Sequence, residues 1–279
     1  SGRWVAWVSK FVDYWKATDP RRVYTGASVG NSWQWQPHNE YHVKAGARGL
    51  SWAGAQPESK SDYRARIDTV KQPYVSHETG QWCVFPNFNE IRKYTGVNKA
   101  KNFEIFRDIL NDNHMGGQSY DFMMASGKLQ ALCYKHEIEK TLRTPDYAGF
   151  QLLALNDYSG QGTALVGVLD VFFEEKGYIN AEQFRRFCSP TVPLARIPKF
   201  VYANDETFHA DIEVSHFGAA PLQGAKTSYT IKDKFGKVYA KGTVGTQTIP
   251  IGNLCALGSV GYEPEGDRYS TETKSGSVY

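Results

Sequence analysis

The chain has 279 residues, and its 32 Lys and Arg against 29 Asp and Glu give a formal net charge of +3. A charge this close to balance gives no indication of a nucleic-acid partner, and the lack of an apolar run of about 18 residues predicts no membrane-spanning helix. Aromatic residues make up 14% of the chain, and they can fill a core or form flat platforms for ring-shaped ligands.

The first two thirds of the chain alternate between helical and extended patterns. Trp4, Val8, Phe11 and Trp15 recur at helical spacing, so a first helix is predicted, ending at Asp19-Pro20. Further helices are predicted over 102–110, over 128–142 with a start at Ser126-Gly127, and over 181–187, with a helix or long loop over 58–68. Strands are predicted over 22–27, 47–53, 72–76 and 148–155. This alternation favours a parallel sheet or barrel over a sandwich.

A change in composition follows Cys188. Pro190, Pro193 and Pro198 lie within nine positions and predict a stiff connector. Beyond it, apolar and polar residues alternate over 207–214, 227–231 and 238–244, with a hairpin turn over 234–237. Alternation of this kind is typical of antiparallel strands with one buried face, so the end of the chain is predicted to be a β module.

The segment 73–82 carries the most informative pattern for chemistry. A short apolar strand brings Glu78 to its C-terminal end, and Gly80 and Trp82 follow. In barrels of alternating strands and helices the active site lies at this end of the strands. A carboxylate there suits a nucleophile that attacks the anomeric carbon of a sugar. A salt bridge at a strand end would give the same pattern, and both interpretations stay open at this point.

Four motifs together resemble a known family. Ser76–Gly80, Lys93–Gly96 and Gly149–Leu153 resemble the C-terminal half of the barrel in glycoside hydrolase family 2, and Asp19–Arg22 resembles its Asp-Pro-x-Arg motif. The family includes β-galactosidases, β-glucuronidases and β-mannosidases, and the resemblance covers roughly residues 2 to 190.

The resemblance implies an α/β fold. Residues 1–190 would form the C-terminal half of a (β/α)₈ TIM barrel, strands five to eight, and residues 191–279 an immunoglobulin-like β-sandwich that is incomplete at its end. It also implies a retaining β-glycoside hydrolase of β-galactosidase type that releases a sugar from the non-reducing end, with Glu78 as the nucleophile and no cofactor. The implied partner is a carbohydrate, with neither nucleic acid nor membrane.

Such an enzyme also needs a glutamate as acid/base, usually in an Asn-Glu pair. Asn39-Glu40 precedes Glu78 by only about one barrel unit, whereas strands four and seven should lie roughly 90 residues apart. Asn89-Glu90 follows Glu78 and is on the wrong side of it. The acid/base is therefore expected upstream of Ser1, where the chain starts abruptly within a helical pattern. The isolated chain is expected to be nearly inactive and to associate with itself or with a missing N-terminal half; a bacterial enzyme would be periplasmic or extracellular.

Several further residues are candidates for binding the sugar. His42 and His77 lie near predicted strand ends, Trp82 follows Glu78, and Asn156-Asp157 ends the last apolar strand. Each has an ordinary structural alternative: a hydrogen-bonded core histidine, a packing tryptophan or a turn. Leu152, Leu153 and Leu155 occupy the strand on which the family often has a Trp, so Trp82, or Trp33 and Trp35, could replace that platform.

The four cysteines have no CxxC spacing and no nearby His cluster, so no metal site is expected. Free thiols are favoured, and two disulfides remain arithmetically open.

The alternative to the hydrolase is a non-catalytic carbohydrate-binding or scaffold protein that uses the same cleft.

Overall fold

The structure, a computed structural model, describes residues 3–26, 36–162 and 164–264, without the side chains of Arg3, Trp4 and Gln161. The chain divides into two compact units. The first consists of Ser1–Leu50, Tyr63–Thr141 and Asp146–Cys188, and the second of Ser51–Asp62, Leu142–Pro145 and Ser189–Tyr279.

The first unit is a mixed α/β structure around a short parallel sheet. Its helices are α1 (Arg3–Thr18), α2 (Arg64–Ile67), α3 (Lys101–Asp112), α4 (Ser119–Leu142, whose last residue belongs to the second unit) and α5 (Ala181–Arg185), with 3₁₀ turns at Phe88–Lys93, Gly116–Gln118 and Ser159–Gln161. Its strands are β1 (His42–Lys44), β2 (Tyr74–Thr79) and β3 (Tyr147–Leu152), hydrogen-bonded in the order β1-β2-β3. None of the described helices combines the length and the apolarity that crossing a bilayer requires.

Both pairings in this sheet are parallel, as the alternation of strands and helices predicts. Tyr74 and Tyr147, at the starts of β2 and β3, pack with Tyr63 and Ile67 in one buried cluster. A second cluster, which contains Phe103, lies among the 3₁₀ turn Phe88–Lys93, α3 and α4. The described part of this unit thus contains a parallel sheet of three strands.

Two of the predicted strands are wrong. The described part of 22–27, up to Gly26, is not a strand, because the Asn39 and Glu40 side chains accept the backbone N–H groups of Gly26 and Tyr24, both at 2.8 Å. Residues 47–53 are not a strand either. The backbone N–H of Ala47 donates to the Tyr74 hydroxyl at 3.0 Å, so a side chain takes the place of a strand partner.

Helix α4 begins seven residues before the predicted start at Ser126-Gly127. The Ser126 hydroxyl donates to the Phe122 carbonyl one turn earlier, as in a helix interior. Gly127 allows close packing, since a Cβ atom there would lie 2.2 Å from the ring of Tyr178. Leu129, an apolar residue of the predicted helix, is exposed. The buried face instead carries polar side chains, listed here with their apolar neighbours: Gln130, Cys133, Tyr134, Glu137, Ile138 and Thr141.

The second unit is a β-sandwich. Its strands are β4 (Thr191–Arg196), β5 (Phe208–His216), β6 (Leu222–Lys232), β7 (Val238–Ile249) and β8 (Gly252–Tyr262). They form two antiparallel sheets, β4-β5-β8 and β6-β7. Val214 and Leu257 of the first sheet pack against Ile249 and Val244 of the second, which confirms the predicted antiparallel module.

The predicted proline connector is wrong, because residues 191–196 form strand β4. Among the described strands it is an edge strand, paired with β5, and Pro193 lies opposite Val214 with its ring exposed. An edge strand tolerates proline because one side of its backbone needs no partner. Val192 and Leu194 on either side are buried and hold the strand against the core.

Candidate functional site

Glu78 lies at the C-terminal end of β2, the middle strand of the parallel sheet. The pairing of β2 with β3 shifts register between Ser76 and Thr79, so Glu78 belongs to an irregular turn of the strand. Its backbone φ is 57°, in the left-handed region that non-glycine residues rarely adopt. Bulges and strained backbone of this kind concentrate at functional sites.

Three side chains contact the Glu78 carboxylate. Nη1 of Arg48 lies 3.1 Å from Oε2 and also donates to the carbonyls of His77 and Glu78 at 2.9 and 2.8 Å. Nε2 of His77 lies 3.3 Å from Oε1, and Nε2 of Gln81 lies 3.4 Å from Oε2. The Glu78 side chain nevertheless stays 36% exposed. The carboxylate is thus oriented by its neighbours and open to a ligand.

His77 is held from the adjacent strand. Its Nδ1 lies 3.3 Å from Oε1 of Gln151 on β3. With one ring nitrogen on Gln151 and the other on Glu78, the imidazole orients the carboxylate. The structure therefore brings the sequence candidates Glu78 and His77 together.

Trp82 is turned towards helix α4. Its indole Nε1 donates to Oε2 of Glu137 at 2.7 Å, and the backbone N–H of Gly49 donates to Oε1 at 2.6 Å. Burial raises the pKa of the Glu137 carboxyl, and these hydrogen bonds oppose that shift. Both carboxylate oxygens are in use, so Glu137 fixes the surroundings of the site instead of reacting.

The buried polar face of α4 holds the loops that leave β2 and β3. The Tyr134 hydroxyl oxygen lies 2.8 Å from the Gly80 carbonyl oxygen and 2.6 Å from that of Val166, so its one proton is shared between them. Nε2 of Gln130 donates to the carbonyls of Trp82 and Leu165 at 2.7 and 3.3 Å. A side chain at residue 80 is excluded, because φ is 86° there and a Cβ atom would lie 2.0 Å from the Tyr134 ring.

His42 lies away from Glu78. It starts β1 and pairs with Tyr74, the first residue of β2, so it lies at the opposite end of the sheet. The side chain is buried, and the backbone N–H of Gln36 donates to its Nε2 at 3.4 Å. Burial and the nearby charge of Lys44 lower the pKa of His42, which favours a neutral core imidazole. The structure does not place His42 at a site shared with Glu78.

Asn156 and Asp157 are engaged in internal contacts. The Asn156 amide donates to the Asp157 carbonyl at 2.9 Å. Asp157 is only 1% exposed; its carboxylate accepts the backbone N–H of Gly167 at 2.9 Å and lies 2.7 Å from Nζ of Lys176. Burial raises the pKa of Asp157, and the ammonium of Lys176 opposes that shift.

Asp157 belongs to an inner charge cluster, defined here as Glu90, Lys93, Asp157, Asp170 and Lys176. Nζ of Lys93 lies 2.5 Å from Asp170, and Glu90 is buried beside both ion pairs. Burial, together with the charges of Asp170 and Asp157, raises the pKa of Glu90 to about 7. These five groups interact with one another inside the first unit.

The remaining chemistry of the described residues is sparse. No group of three or more His, Cys, Asp or Glu in these ranges could hold a metal ion. All four cysteines are free thiols, and Cys83 is exposed.

A cavity of about 230 Å³ lies beside Tyr158, and a groove of about 260 Å³ lies beside α1. Glu78 lines neither of them. Trp33 and Trp35 lie outside the described residues.

Comparisons with known proteins give weak similarities. A family model described as a domain of unknown function (DUF8488) matches residues 206–269, and no curated protein matches the chain. Among solved structures, an FMN-binding beta-glucuronidase from Facaelibacterium prausnitzii L2-6 aligns over 95% of this chain and 40% of its own, with 10% identity and a TM-score of 0.35. An exo-chitosanase from Amycolatopsis orientalis aligns over 81% of this chain and 36% of its own, with 10% identity and a TM-score of 0.37. The chain thus spans 40% or less of either enzyme, and at this similarity neither their folds nor their activities transfer to it.

Proposed function

We propose that this chain carries the nucleophile of a retaining β-glycoside hydrolase of β-galactosidase type, and that its first unit is the C-terminal half of a TIM barrel. One observation carries the proposal. Glu78 presents a partly exposed carboxylate from a left-handed backbone position at the C-terminal end of the middle parallel strand. Parallel strands in barrels place reactive groups at this end.

The contacts of Glu78 suit nucleophilic attack. Arg48 and His77 contact different carboxylate oxygens, Oε2 and Oε1, and so fix the direction in which the carboxylate points. In the proposed reaction a Glu78 oxygen bonds to the anomeric carbon while the bond from that carbon to the leaving oxygen breaks. Water then releases the sugar and restores the carboxylate.

Protonation of the leaving oxygen needs a second carboxyl group, and the two Asn-Glu pairs do not supply it. Glu40 precedes β1 at the end of the sheet away from Glu78, and its carboxylate accepts the backbone N–H of Tyr24. Glu90 is buried in the inner charge cluster. The test of Glu78 must therefore use a leaving group that departs without a proton.

Dinitrophenyl 2-fluoro β-glycosides meet this requirement, since dinitrophenolate leaves unprotonated and the fluorine slows release of the covalent intermediate. We expect the protein, incubated with the galactosyl, glucosyl, mannosyl and glucuronyl forms, to gain the mass of one fluorosugar on the peptide that contains Glu78. Glu182→Gln, an exposed glutamate on α5, should be labelled like the unmodified chain, and Glu78→Gln should not be labelled. Absence of label with every sugar, or label retained in Glu78→Gln, would refute the nucleophile.

One observation favours the alternative, a non-catalytic carbohydrate-binding protein. The Glu78 carboxylate already pairs with the Arg48 guanidinium, and Glu78 lines neither cavity described above. A binding protein would bind an unactivated glycoside in calorimetry and would form no adduct with the fluorosugar. The labelling experiment therefore separates the two functions.

A further inference from the structure

The cavity of about 230 Å³ in the first unit is built by two loops. One follows β2 and contributes Tyr94 and Lys99, and Phe103 comes from α3, into which this loop leads; the other loop follows β3 and contributes Tyr158 and Ser159. Both loops leave the C-terminal ends of neighbouring parallel strands, the position at which open parallel sheets bind ligands.

The floor and one side of the cavity are well fixed. Phe103 and Leu165 are buried and form an apolar floor. The Asn102 amide donates to the Gly162 carbonyl and so joins the start of α3 to the loop that follows β3. The ring of Tyr94 packs edge-on against Phe172, with ring centroids 5.1 Å apart. A cavity with such walls exists before a ligand arrives, which reduces the cost of binding.

The rim combines an aromatic surface with hydrogen-bonding groups. Tyr158 is 63% exposed, and its ring lies against Gly160, where a Cβ atom would come within 2.4 Å of the ring. Glycine at this position therefore lets the tyrosine ring lie along its own loop. Asn98 and Ser159 are exposed on the same rim and can bind hydroxyl groups.

One cationic side chain lines the cavity. Lys99 is the one charged residue among the described residues that line it. The hydrogen bond from its Nζ to the Tyr94 carbonyl is long, at 3.5 Å, which leaves the ammonium able to bind an anion. No carboxylate is among the described lining residues, so Lys99 can attract a ligand with an anionic group. Burial and the carboxylates of Glu90, Asp157 and Asp170 raise the pKa of Tyr94. These carboxylates belong to the inner charge cluster, where Lys93 and Lys176 offset part of their charge.

We propose that this cavity binds a pyranose that carries a carboxylate or a sulfate. The sugar ring stacks on Tyr158, its hydroxyls bind Asn98 and Ser159, and Lys99 binds the anionic group. A cavity of about 150 Å³ holds benzene, so a six-membered sugar ring fits the larger volume here. This inference goes beyond the proposed hydrolase, because it requires neither Glu78 nor any cleavage.

Saturation-transfer NMR and calorimetry on the full chain test the proposal with methyl glucuronide, glucose-6-sulfate and methyl glucoside. These probes share the glucopyranose ring and carry a carboxylate, a sulfate or no charged group. We expect the two anionic sugars to bind about tenfold more tightly than the neutral one, a difference of roughly 1.4 kcal/mol, and added salt to reduce that preference. The anionic sugar that binds more tightly shows whether the cavity prefers a carboxylate or a sulfate.

Three variants locate the binding. Lys99→Gln should abolish the preference for anionic sugars, and Tyr158→Ala should weaken binding of every sugar about tenfold, whereas Lys128→Gln on exposed α4 surface should change nothing. Lys99→Gln and Tyr158→Ala should be labelled at Glu78 by the fluorosugars like the unmodified chain, so failure of the hydrolase proposal and failure of this one are distinguishable. Equal binding of charged and neutral sugars, an unaffected Lys99→Gln, or no binding at all would refute the proposal.

Discussion

Two carboxylates in the first unit each pair with a cation, but in opposite surroundings. Glu78 lies 3.1 Å from Arg48 and is 36% exposed, whereas Asp157 lies 2.7 Å from Lys176 and is 1% exposed. A solvent-accessible ion pair contributes little to stability and can exchange one partner for a ligand. A buried pair cannot lose a partner without leaving an uncompensated charge in the interior. The buried Asp157 therefore has a structural role, whereas the exposed carboxylate of Glu78 can bind a ligand.

The largest expected effect comes from breaking the buried pair. Asp157→Asn keeps the shape of the side chain and leaves the charge of Lys176 without its closest partner. We expect the free energy of unfolding to fall by about 3–5 kcal/mol, measured by urea denaturation. Asp108→Asn, which removes an exposed partner of Arg107, and Glu78→Gln should each change it by less than about 1 kcal/mol. Equal losses in Asp157→Asn and Glu78→Gln would remove the distinction drawn between the two carboxylates.

An intermediate effect is expected from pH at Glu90. Its pKa rises from 4.5 to about 7 in the folded chain because the carboxyl is buried near Asp170 and Asp157, with Lys176 and Lys93 opposing the shift. The folded state therefore binds the proton more tightly than the unfolded state. The resulting stabilisation is complete below pH 4.5 and is lost as the pH rises towards about 7.

Urea denaturation at pH 5 and pH 8 measures this contribution. From pH 5 to pH 8 we expect the free energy of unfolding of the unmodified chain to fall by roughly 1–3 kcal/mol more than that of Glu90→Gln. The glutamine variant cannot ionise at this position. The same pH series on Glu182→Gln, at an exposed position, should retain the dependence. Parallel pH curves for Glu90→Gln and the unmodified chain would contradict the shift.

The smallest effect concerns the backbone at Glu78. A residue with φ of 57° is strained unless it is glycine, at a cost of about 1–2 kcal/mol. We expect Glu78→Gly to be about 1 kcal/mol more stable than Glu78→Ala in thermal unfolding. At Lys128, in the interior of α4, the order should reverse, with alanine about 1 kcal/mol more stable than glycine. An alanine variant at 78 that matches or exceeds the glycine variant would remove the evidence for strain.

Sequence reasoning predicted the elements whose patterns are local. The apolar runs gave β2 and β3 and their parallel pairing, and the alternation after residue 207 gave the antiparallel module. It predicted the helix over 128–142 but missed the start of α4 and its buried polar face, because Gln130, Tyr134 and Glu137 contact loop groups far away in sequence. A hydrophobic pattern carries no signal for such a face.

The candidate site was predicted in the same uneven way. Glu78 and His77 are neighbours in sequence and meet in the structure, whereas His42, near another predicted strand end, lies at the far end of the sheet. The sequence did not place Arg48 or Glu137 near Glu78, although Arg48 contacts Glu78 and Glu137 holds Trp82. They are 30 and 59 residues from Glu78, and no local pattern indicates those contacts.

The sequence alone determined the longer helices, strands β2 and β3, and the presence of a carboxylate after an apolar strand, because periodicity and residue chemistry are properties of short segments. Only the tertiary structure decided which carboxylates are exposed. Glu78 and Asp157 both follow or end apolar segments, yet one faces solvent beside Arg48 and the other is enclosed with Lys176. Burial depends on what distant segments place around a residue, and the free-energy cost of burying charge makes that placement decisive for its role.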